Sequence, residues 1–290
     1  MNGIIIINKP IGFTSQDVVS KTKRILNEKK AGHTGTLDPM ATGVLPVLLG
    51  EATKVSKYLI EHDKKYIATI QLGEKRDTGD SEGKIIEKIE AKIEDEKEII
   101  EVLNSFLGKS MQIPPIYSAI KINGKKLYEY AREGIDIEIP PREIEIFDIC
   151  LNEFNKENQT IKFSVKCSKG TYIRTLCEDI SKKLRTVGYM KALERVQVED
   201  FYIEDAITFE ELEENKDDIE FIKNKLISVE KVFNNLKNIK LTKRKEELYL
   251  NGVRLTFELK DGIYNIYTQD NKYIGIGIVK DKLLKRDVVL

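Results

Sequence analysis

The chain has 290 residues, of which 41 % are hydrophobic and 33 % charged, a composition typical of a globular protein that can bury a core. Its three cysteines, Cys150, Cys167 and Cys177, are too widely spaced for a C-x-x-C metal or redox site, and an odd number argues against a disulfide framework. No stretch approaches the ~20 apolar residues of a membrane span, and the first residues carry no basic leader. We therefore expect a soluble, cytoplasmic protein that does not associate with membranes.

The net charge is formally zero, with 48 basic and 48 acidic residues, but the charges are segregated. Residues 199–220 contain eleven acidic residues and one lysine, so the rest of the chain carries an excess of ten positive charges. Residues 221–290 contain 15 basic and 8 acidic residues. Such a distribution permits a basic face for nucleic acid, although the simpler interpretation of residues 199–220 is a solvated acidic helix.

The first third of the chain alternates between strong strand and helix patterns. Residues 3–8 predict a buried strand, and residues 15–27 predict a helix capped by Thr14 or Ser15. The segment from Gly32 to Gly50 then reads GHTGTLDPMATGVLPVLLG, in which a glycine-bracketed polar loop precedes the apolar run 44–49. We expect this run to form a rigid base for the loop, followed by a helix at 51–61 and a strand at 65–73.

The remaining elements are predicted in the same way. Turn-rich polar sequence covers 74–84, helices are expected at 94–107 and 170–185, and residues 112–134 read as an exposed, basic, aromatic loop and helix with an Asn123–Gly124 turn. Strands are predicted at 143–155, 160–168, 190–198, 248–254, 262–268 and 273–280. Because strands and helices do not alternate as regular βαβ units, the fold class is α+β, with a mixed, mostly antiparallel sheet and flanking helices.

Few residues offer chemistry. Asp38 precedes a proline and could be only a turn residue, while Arg174, in the first turn of a predicted helix, could be only a surface residue. If the two faced each other, the guanidinium would keep Asp38 ionised and lower its pKa by ~1–3 units. Tyr66 is either a core residue or a ring on which a base could stack. The only histidines are His33 and His62, so the sequence predicts no metal site.

Several motifs, in order, resemble those of the TruB-type family of bacterial tRNA pseudouridine synthases. These are NKPIGFTS at 8–15, GHTGTLDPMATGVLPVLLGEATK at 32–54, DKKYIATIQLG at 63–73, IPPIYSAIKINGKKLYEYAREG at 113–134 and CSKGTYIRTL at 167–176. Together they extend over most of residues 1–198. The resemblance implies the pseudouridine synthase fold and isomerisation of uridine 55 in the tRNA T-loop, by base flipping and without a cofactor.

The resemblance also implies roles for individual residues. Asp38 stands at the catalytic aspartate, Tyr66 at the tyrosine that stacks on the target uracil, and Arg174 at the arginine paired with the aspartate. His33 and Leu193 stand at positions that contact the flipped-out loop and the target base. Further residues are implied in substrate binding, namely Gly32, Thr34, Lys9, Tyr117 and Lys121. The sequence departs from the family pattern at Glu194, where a basic residue is expected beside Arg195.

The family's architecture implies a catalytic domain at 1–235, with an RNA-gripping thumb at about 112–142, and a small β-rich, PUA-like RNA-binding domain at 236–290. We expect a monomer that binds the T-arm of tRNA and needs no protein partner, cofactor or metal. Two alternatives stay open. The chain could act mainly as a tRNA chaperone, or it could be the catalytic subunit of a guide-RNA particle.

Overall fold

The computed structural model describes residues Met1–Leu290 and contains two large sheets with helices around them. The helices are α1 Ser15–Ile25, α2 Ser56–Leu59, α3 Glu96–Asn104, α4 Leu127–Glu133, α5 Ile173–Lys183, α6 Phe209–Glu214, α7 Ile219–Lys225, α8 Val229–Val232 and α9 Lys243–Leu250, with 3-10 turns at Gly50–Val55 and Ile203–Asp205. None of these helices has the length and apolar character needed to cross a bilayer.

The strands fall into two large groups and two small hairpins. Up to residue 202 they are β1 Gly3–Lys9, β2 Ala31–His33, β3 Thr42–Leu49, β4 Lys64–Leu72, β5 Glu74–Arg76, β6 Ile85–Lys88, β7 Gly108–Gln112, β8 Lys121–Ile122, β9 Lys125–Lys126, β10 Arg142–Asn155, β11 Thr160–Cys167, β12 Gly188–Val198 and β13 Phe201–Tyr202. The C-terminal strands are β14 Lys237–Lys240, β15 Leu255–Thr256, β16 Gly262–Tyr267, β17 Tyr273–Lys280 and β18 Leu283–Val289.

The larger sheet has nine strands in the order β1-β3-β12-β4-β11-β10-β7, with β2 paired to β3 and β13 to β12. All of its pairings are antiparallel except that of β12 with β3. This parallel contact is short and joins Arg195 to Gly43. Gly43 has a φ of +102°, and a Cβ there would lie 2.3 Å from the Arg195 carbonyl oxygen, so only glycine allows the two strands to meet. The predicted α+β class and mostly antiparallel sheet are confirmed.

The first strand explains why residues 4–7 are four consecutive isoleucines. Ile5 and Ile7 pack on one face of the sheet in the cluster that covers α1, whereas Ile4 and Ile6 pack on the opposite face. A strand buried on both faces needs continuous rather than alternating apolar residues. Its neighbour β3 is likewise buried from Val44 to Leu49, as expected for the base of the polar loop.

The C-terminal sheet has five strands in the order β14-β16-β17-β18-β15. It shares a hydrophobic cluster with the larger sheet, since Ile276 and Val288 pack with Ile4 and Leu48. Asp287 reinforces this contact by accepting hydrogen bonds from Lys57 Nζ at 2.6 Å and from the Tyr58 hydroxyl at 2.5 Å. The predicted β-rich C-terminal unit is therefore present and is packed against the larger sheet.

Most predicted elements are observed, and three differ. Residues 248–254 were expected to be a strand, but residues 243–250 form α9, whose buried Tyr249 donates a hydrogen bond to the Ile276 carbonyl. The expected helix 51–61 is a 3-10 turn followed by one short helix. The acidic segment 199–220 is not one solvated helix, because it contains β13, a 3-10 turn and α6, with Phe209 and Leu212 buried.

Candidate active site

The loop that carries Asp38 joins β2 to β3 and is held by hydrogen bonds to the NKPIGFTS motif at residues 8–15. The Ser15 hydroxyl accepts a hydrogen bond from the Leu37 amide at 2.8 Å, and the Gly12 amide donates to the Pro39 carbonyl at 2.8 Å. Ser15 is held in turn by the first turn of α1, where Thr14 and its neighbours form a capping box. The NKPIGFTS motif thus supports the Asp38 loop.

Lys9 forms part of this support, which corrects its expected role in substrate binding. Its side chain is fully buried, and its ammonium group donates to the carbonyls of Pro10 at 3.0 Å, Pro39 at 3.1 Å and Ala41 at 2.5 Å. Burial lowers its pKa to about 8, and the nearby Asp38 carboxylate opposes that shift. Because all three donors are used inside the protein, Lys9 fixes the backbone of the loop and does not lie on an RNA-facing surface.

Arg174 faces Asp38, as the sequence predicted. It lies in the first turn of α5 with its side chain 7 % exposed, and its Nε is 3.0 Å from Asp38 Oδ2 while its Nη2 is 3.4 Å from Oδ1. The same guanidinium donates to the carbonyls of Thr78 at 3.1 Å and Tyr117 at 2.8 Å. The fork of the guanidinium therefore joins the Asp38 loop to the 74–84 loop and to the segment 112–142.

A second carboxylate, Asp80, completes this arrangement and was missed by the sequence reasoning. It is 4 % exposed, and its Oδ2 lies 3.7 Å from Arg174 Nη1. Its other oxygen accepts hydrogen bonds from the Thr78 hydroxyl at 2.6 Å and the Glu82 amide at 3.1 Å. The segment EKRDTGDSEGK was interpreted only as a polar loop. Its glycine-bracketed acidic turn, which resembles the surroundings of Asp38, was the signal that could have identified it.

The pKa of Asp38 shifts in the direction opposite to the one expected. Burial raises the pKa of its carboxyl above the usual value, the Arg174 guanidinium lowers it, and the neighbouring Asp80 raises it again. The net result is an increase. A single arginine shared between two carboxylates cannot fully compensate for the burial of Asp38, whose side chain nevertheless remains 32 % exposed. Such an accessible and incompletely compensated carboxylate can act as a nucleophile or as a base.

Tyr66 and Leu193 form the apolar wall beside this carboxylate. They are 8 % and 7 % exposed and belong to one hydrophobic cluster with Leu37. Burial raises the pKa of the Tyr66 phenol, and the adjacent Arg195 guanidinium lowers it. The phenol is thus neutral at physiological pH, and Tyr66 lies next to the Asp38 loop.

The other predicted substrate-binding residues differ in their environments. His33 is half-buried, its Nδ1 accepts a hydrogen bond from the Gly35 amide at 3.3 Å, and burial lowers its pKa. Thr34 is 1 % exposed, and its hydroxyl has no hydrogen-bond partner. Gly32 lies in β2, where His33 follows it and pairs with Val47. Lys121 is exposed in the β8-β9 hairpin, whose turn is the predicted Asn123–Gly124 pair. The described residues contain no group of three acidic, histidine or cysteine side chains able to hold a metal ion.

Comparisons with known proteins identify the family of this chain. The family model described as TruB family pseudouridylate synthase (N terminal domain) matches residues 23–173, and that of the tRNA pseudouridylate synthase B C-terminal domain matches residues 174–234. The tRNA pseudouridine synthase B of Clostridium novyi is 46 % identical and covers 100 % of both chains. That of Caldanaerobacter subterraneus is 41 % identical and covers 98 % of both chains.

Solved structures share the fold. One chain in a structure of an H/ACA RNP bound to a substrate RNA containing 2′-deoxyuridine has a TM-score of 0.72 at 24 % identity, covering 99 % of this chain and 85 % of that chain. A chain in a Cbf5-Nop10-Gar1 complex has a TM-score of 0.71 at 26 % identity, covering 99 % of this chain and 83 % of that chain. The fold is thus that of the pseudouridine synthases.

With this fold and these relatives, the chain belongs to the TruB family of pseudouridylate synthases. It is an isomerase that converts uridine to pseudouridine in tRNA.

Proposed function

We propose that this enzyme acts on uridine 55 in the T-loop of tRNA and that Asp38 is its catalytic group. The observation that carries the proposal is the accessible Asp38 carboxylate, which Arg174 holds at 3.0 Å on a loop fixed from below, with Tyr66 and Leu193 beside it. Of the two carboxylates that pair with Arg174, only Asp38 is accessible, since Asp80 is buried.

The isomerisation balances without a co-reactant. The bond between N1 and C1′ breaks, the uracil rotates, a bond between C5 and C1′ forms, and the proton on C5 is exchanged for one on N1. Asp38 can attack the sugar or the base, or remove a sugar proton, and each route begins from the same ionised carboxylate. Water has to be excluded while the base is detached, which suits the apolar wall formed by Tyr66 and Leu193.

The substrate uridine has to leave the folded T-loop before Asp38 can reach it. Flipping costs a few kcal/mol, and stacking of the uracil on Tyr66 returns about 1–3 kcal/mol of this. Binding of the surrounding phosphates supplies the remainder. We assign that binding to His33 at the loop, to Lys121 and Tyr117 in the thumb, and to the basic C-terminal unit.

The division of the chain follows from these roles. Residues 1–235 form the catalytic domain, including the thumb at 112–142, and residues 236–290 form the PUA-like RNA-binding domain. The proposed enzyme is a cytoplasmic monomer that selects tRNA without a guide RNA. This choice is supported by 41–46 % identity along nearly the full length of curated tRNA pseudouridine synthases, against 24–26 % for chains of an H/ACA RNP and of a Cbf5-Nop10-Gar1 complex.

The experiment uses the purified full chain and a transcribed tRNA without any other protein or RNA. Mass-spectrometric mapping is expected to find pseudouridine at position 55 and none in a transcript that carries cytidine at that position. Pseudouridine at another position in both transcripts would overturn the T-loop assignment. A requirement for added guide RNA would overturn the proposal that the chain selects tRNA by itself.

A further inference from the structure

Arg195 is a buried cation that the roles proposed above leave unused. It is 1 % exposed, is among the largest fully buried side chains, and forms no ion pair. Burial of a guanidinium without a counter-ion costs folding free energy, and it is usually found only where several hydrogen-bond acceptors surround the group. Such a residue at the edge of an active site calls for an explanation.

Its contacts join the strand below the catalytic loop to the loop itself. Nε donates to the Val44 carbonyl at 2.8 Å, and Nη2 donates to the Gly35 carbonyl at 3.2 Å. Gly35 lies three residues before Asp38, and the backbone of Arg195 is fixed by its parallel contact with Gly43. The guanidinium therefore has a defined position relative to the Asp38 loop.

Arg195 is also the direct partner of Tyr66 across the antiparallel strands β12 and β4, so the two buried side chains project from the same face of the sheet. The positive charge of Arg195 favours ionisation of the Tyr66 phenol and so opposes the increase in its pKa that burial causes. The other titratable groups that face the phenol are Asp38 and Cys167, while Lys9, His33 and Lys64 face the guanidinium. The carbonyls of Val44 and Gly35 could accept hydrogen bonds from a neutral side chain, so they alone do not explain a charged guanidinium at this position. The charge and the planar fork of Arg195 point instead to its third neighbour, the Tyr66 phenol.

We propose that Arg195 is a positioning residue that locks the Tyr66 hydroxyl and the Gly35 carbonyl into one rigid unit, so that the ring on which the uracil stacks keeps a fixed orientation toward Asp38. This inference rests on the function proposed for Tyr66. Arg195 does not touch the substrate in this role, and it acts through Tyr66 and the loop.

The first test measures the Tyr66 phenol and does not depend on activity. A 3-fluorotyrosine placed at position 66 is titrated by 19F NMR in the full-length protein, with the native Arg195 and with Arg195→Gln or Arg195→Lys. A guanidinium beside the phenol stabilises the phenolate, so Arg195→Gln is expected to raise the midpoint by about one pH unit, and Arg195→Lys by less. An unchanged midpoint in a folded Arg195→Gln protein would overturn the proposal.

The second test uses a double-mutant cycle on single-turnover pseudouridine formation. Arg195→Lys is expected to reduce the rate about 10-fold in the native background and about 2-fold or less in the Tyr66→Phe background, while tRNA affinity is unchanged in both. An equal loss in both backgrounds would show that Arg195 acts only as a packing residue. If the native enzyme proved inactive on T-loop uridine, the proposed function would be overturned. The NMR titration would still test the coupling of Arg195 to Tyr66.

A third measurement covers the case in which the Arg195 variants do not fold. In the Tyr66→Phe protein, the side-chain Nε–H resonance of Arg195 is expected to shift and to exchange faster with solvent than in the native protein. An identical resonance and exchange rate would show that the phenol and the guanidinium are not coupled, and would overturn the proposal.

Discussion

Replacement of Arg174 by lysine tests whether the geometry of the guanidinium, and not merely its charge, activates Asp38. Arginine uses Nε for Asp38 at 3.0 Å while Nη2 donates to the Tyr117 carbonyl and Nη1 to the Thr78 carbonyl. A lysine ammonium places all its donors on one nitrogen and cannot serve three acceptors on three segments. The variant Arg174→Lys should therefore retain a positive charge near Asp38 but lose its orientation.

The expected magnitude follows from the bonds that are lost. A hydrogen bond to a charged partner contributes about 1.5–3 kcal/mol, and 1.36 kcal/mol corresponds to about tenfold in rate. Loss of the oriented contact with Asp38 should thus lower the single-turnover rate roughly 10- to 100-fold. The affinity for tRNA should change little, because the side chain of Arg174 is almost fully buried.

The assay is rapid-quench pseudouridine formation with enzyme in excess over transcribed tRNA, combined with a filter-binding measurement of Kd. Arg185→Lys is the matched control, because Arg185 follows the same helix, is exposed, and should tolerate lysine without effect. An unchanged rate in Arg174→Lys would refute the role of the fork. A Kd that rises by the same factor as the rate falls would show that Arg174 binds RNA instead.

Three further predictions concern stability. Because folding raises the pKa of Asp38, ionisation of Asp38 destabilises the folded protein above the unfolded pKa, and Asp38→Asn should be at least as stable as the native protein in thermal unfolding at pH 7. This advantage should fade as the pH falls through the folded pKa. An Asp38→Asn variant less stable than the native protein at pH 7 would contradict the prediction. Lys9→Met leaves buried carbonyls without hydrogen-bond donors and should lower the free energy of urea unfolding by about 2 kcal/mol or more. The control Lys121→Met, at an exposed position, should cause no such loss, and equal stabilities of the two variants would contradict the role of Lys9. Asp287→Asn weakens the hydrogen bonds that hold the C-terminal sheet against the larger sheet, and it should lower the free energy of urea unfolding by about 1 kcal/mol. The exposed Asp270→Asn should cause no loss, and equal stabilities of these two variants would contradict the role of Asp287.

Local patterns predicted the parts of the fold that depend on neighbouring residues. The sequence predicted the cap at Thr14, the buried run Val44 to Leu49 and the Asn123–Gly124 turn, because each depends on residues that are close together in the chain. The strand predicted at 248–254 is wrong, because residues 243–250 form α9. Their apolar residues are few, and the helix is fixed by tertiary contacts of Tyr249 that no local pattern contains.

The candidate site was predicted in part for the same reason. Motif resemblance identified Asp38 and Arg174, and the structure places them in contact. The contribution of Asp80 and the direction of the Asp38 pKa shift could not be read from sequence, because both depend on burial and on the distance between loops far apart in the chain. The family resemblance implied a substrate-binding role for Lys9, and only the fold shows that its ammonium group is enclosed by carbonyls.

Quantification of pseudouridine in transcribed tRNA treated with Asp38→Ala tests directly whether Asp38 is the catalytic group, with the exposed Asp200→Ala as the matched control. We predict no pseudouridine at position 55 with Asp38→Ala, a tRNA Kd within about 2-fold of the native value, and normal conversion by Asp200→Ala. Conversion by Asp38→Ala at the native rate would contradict this prediction.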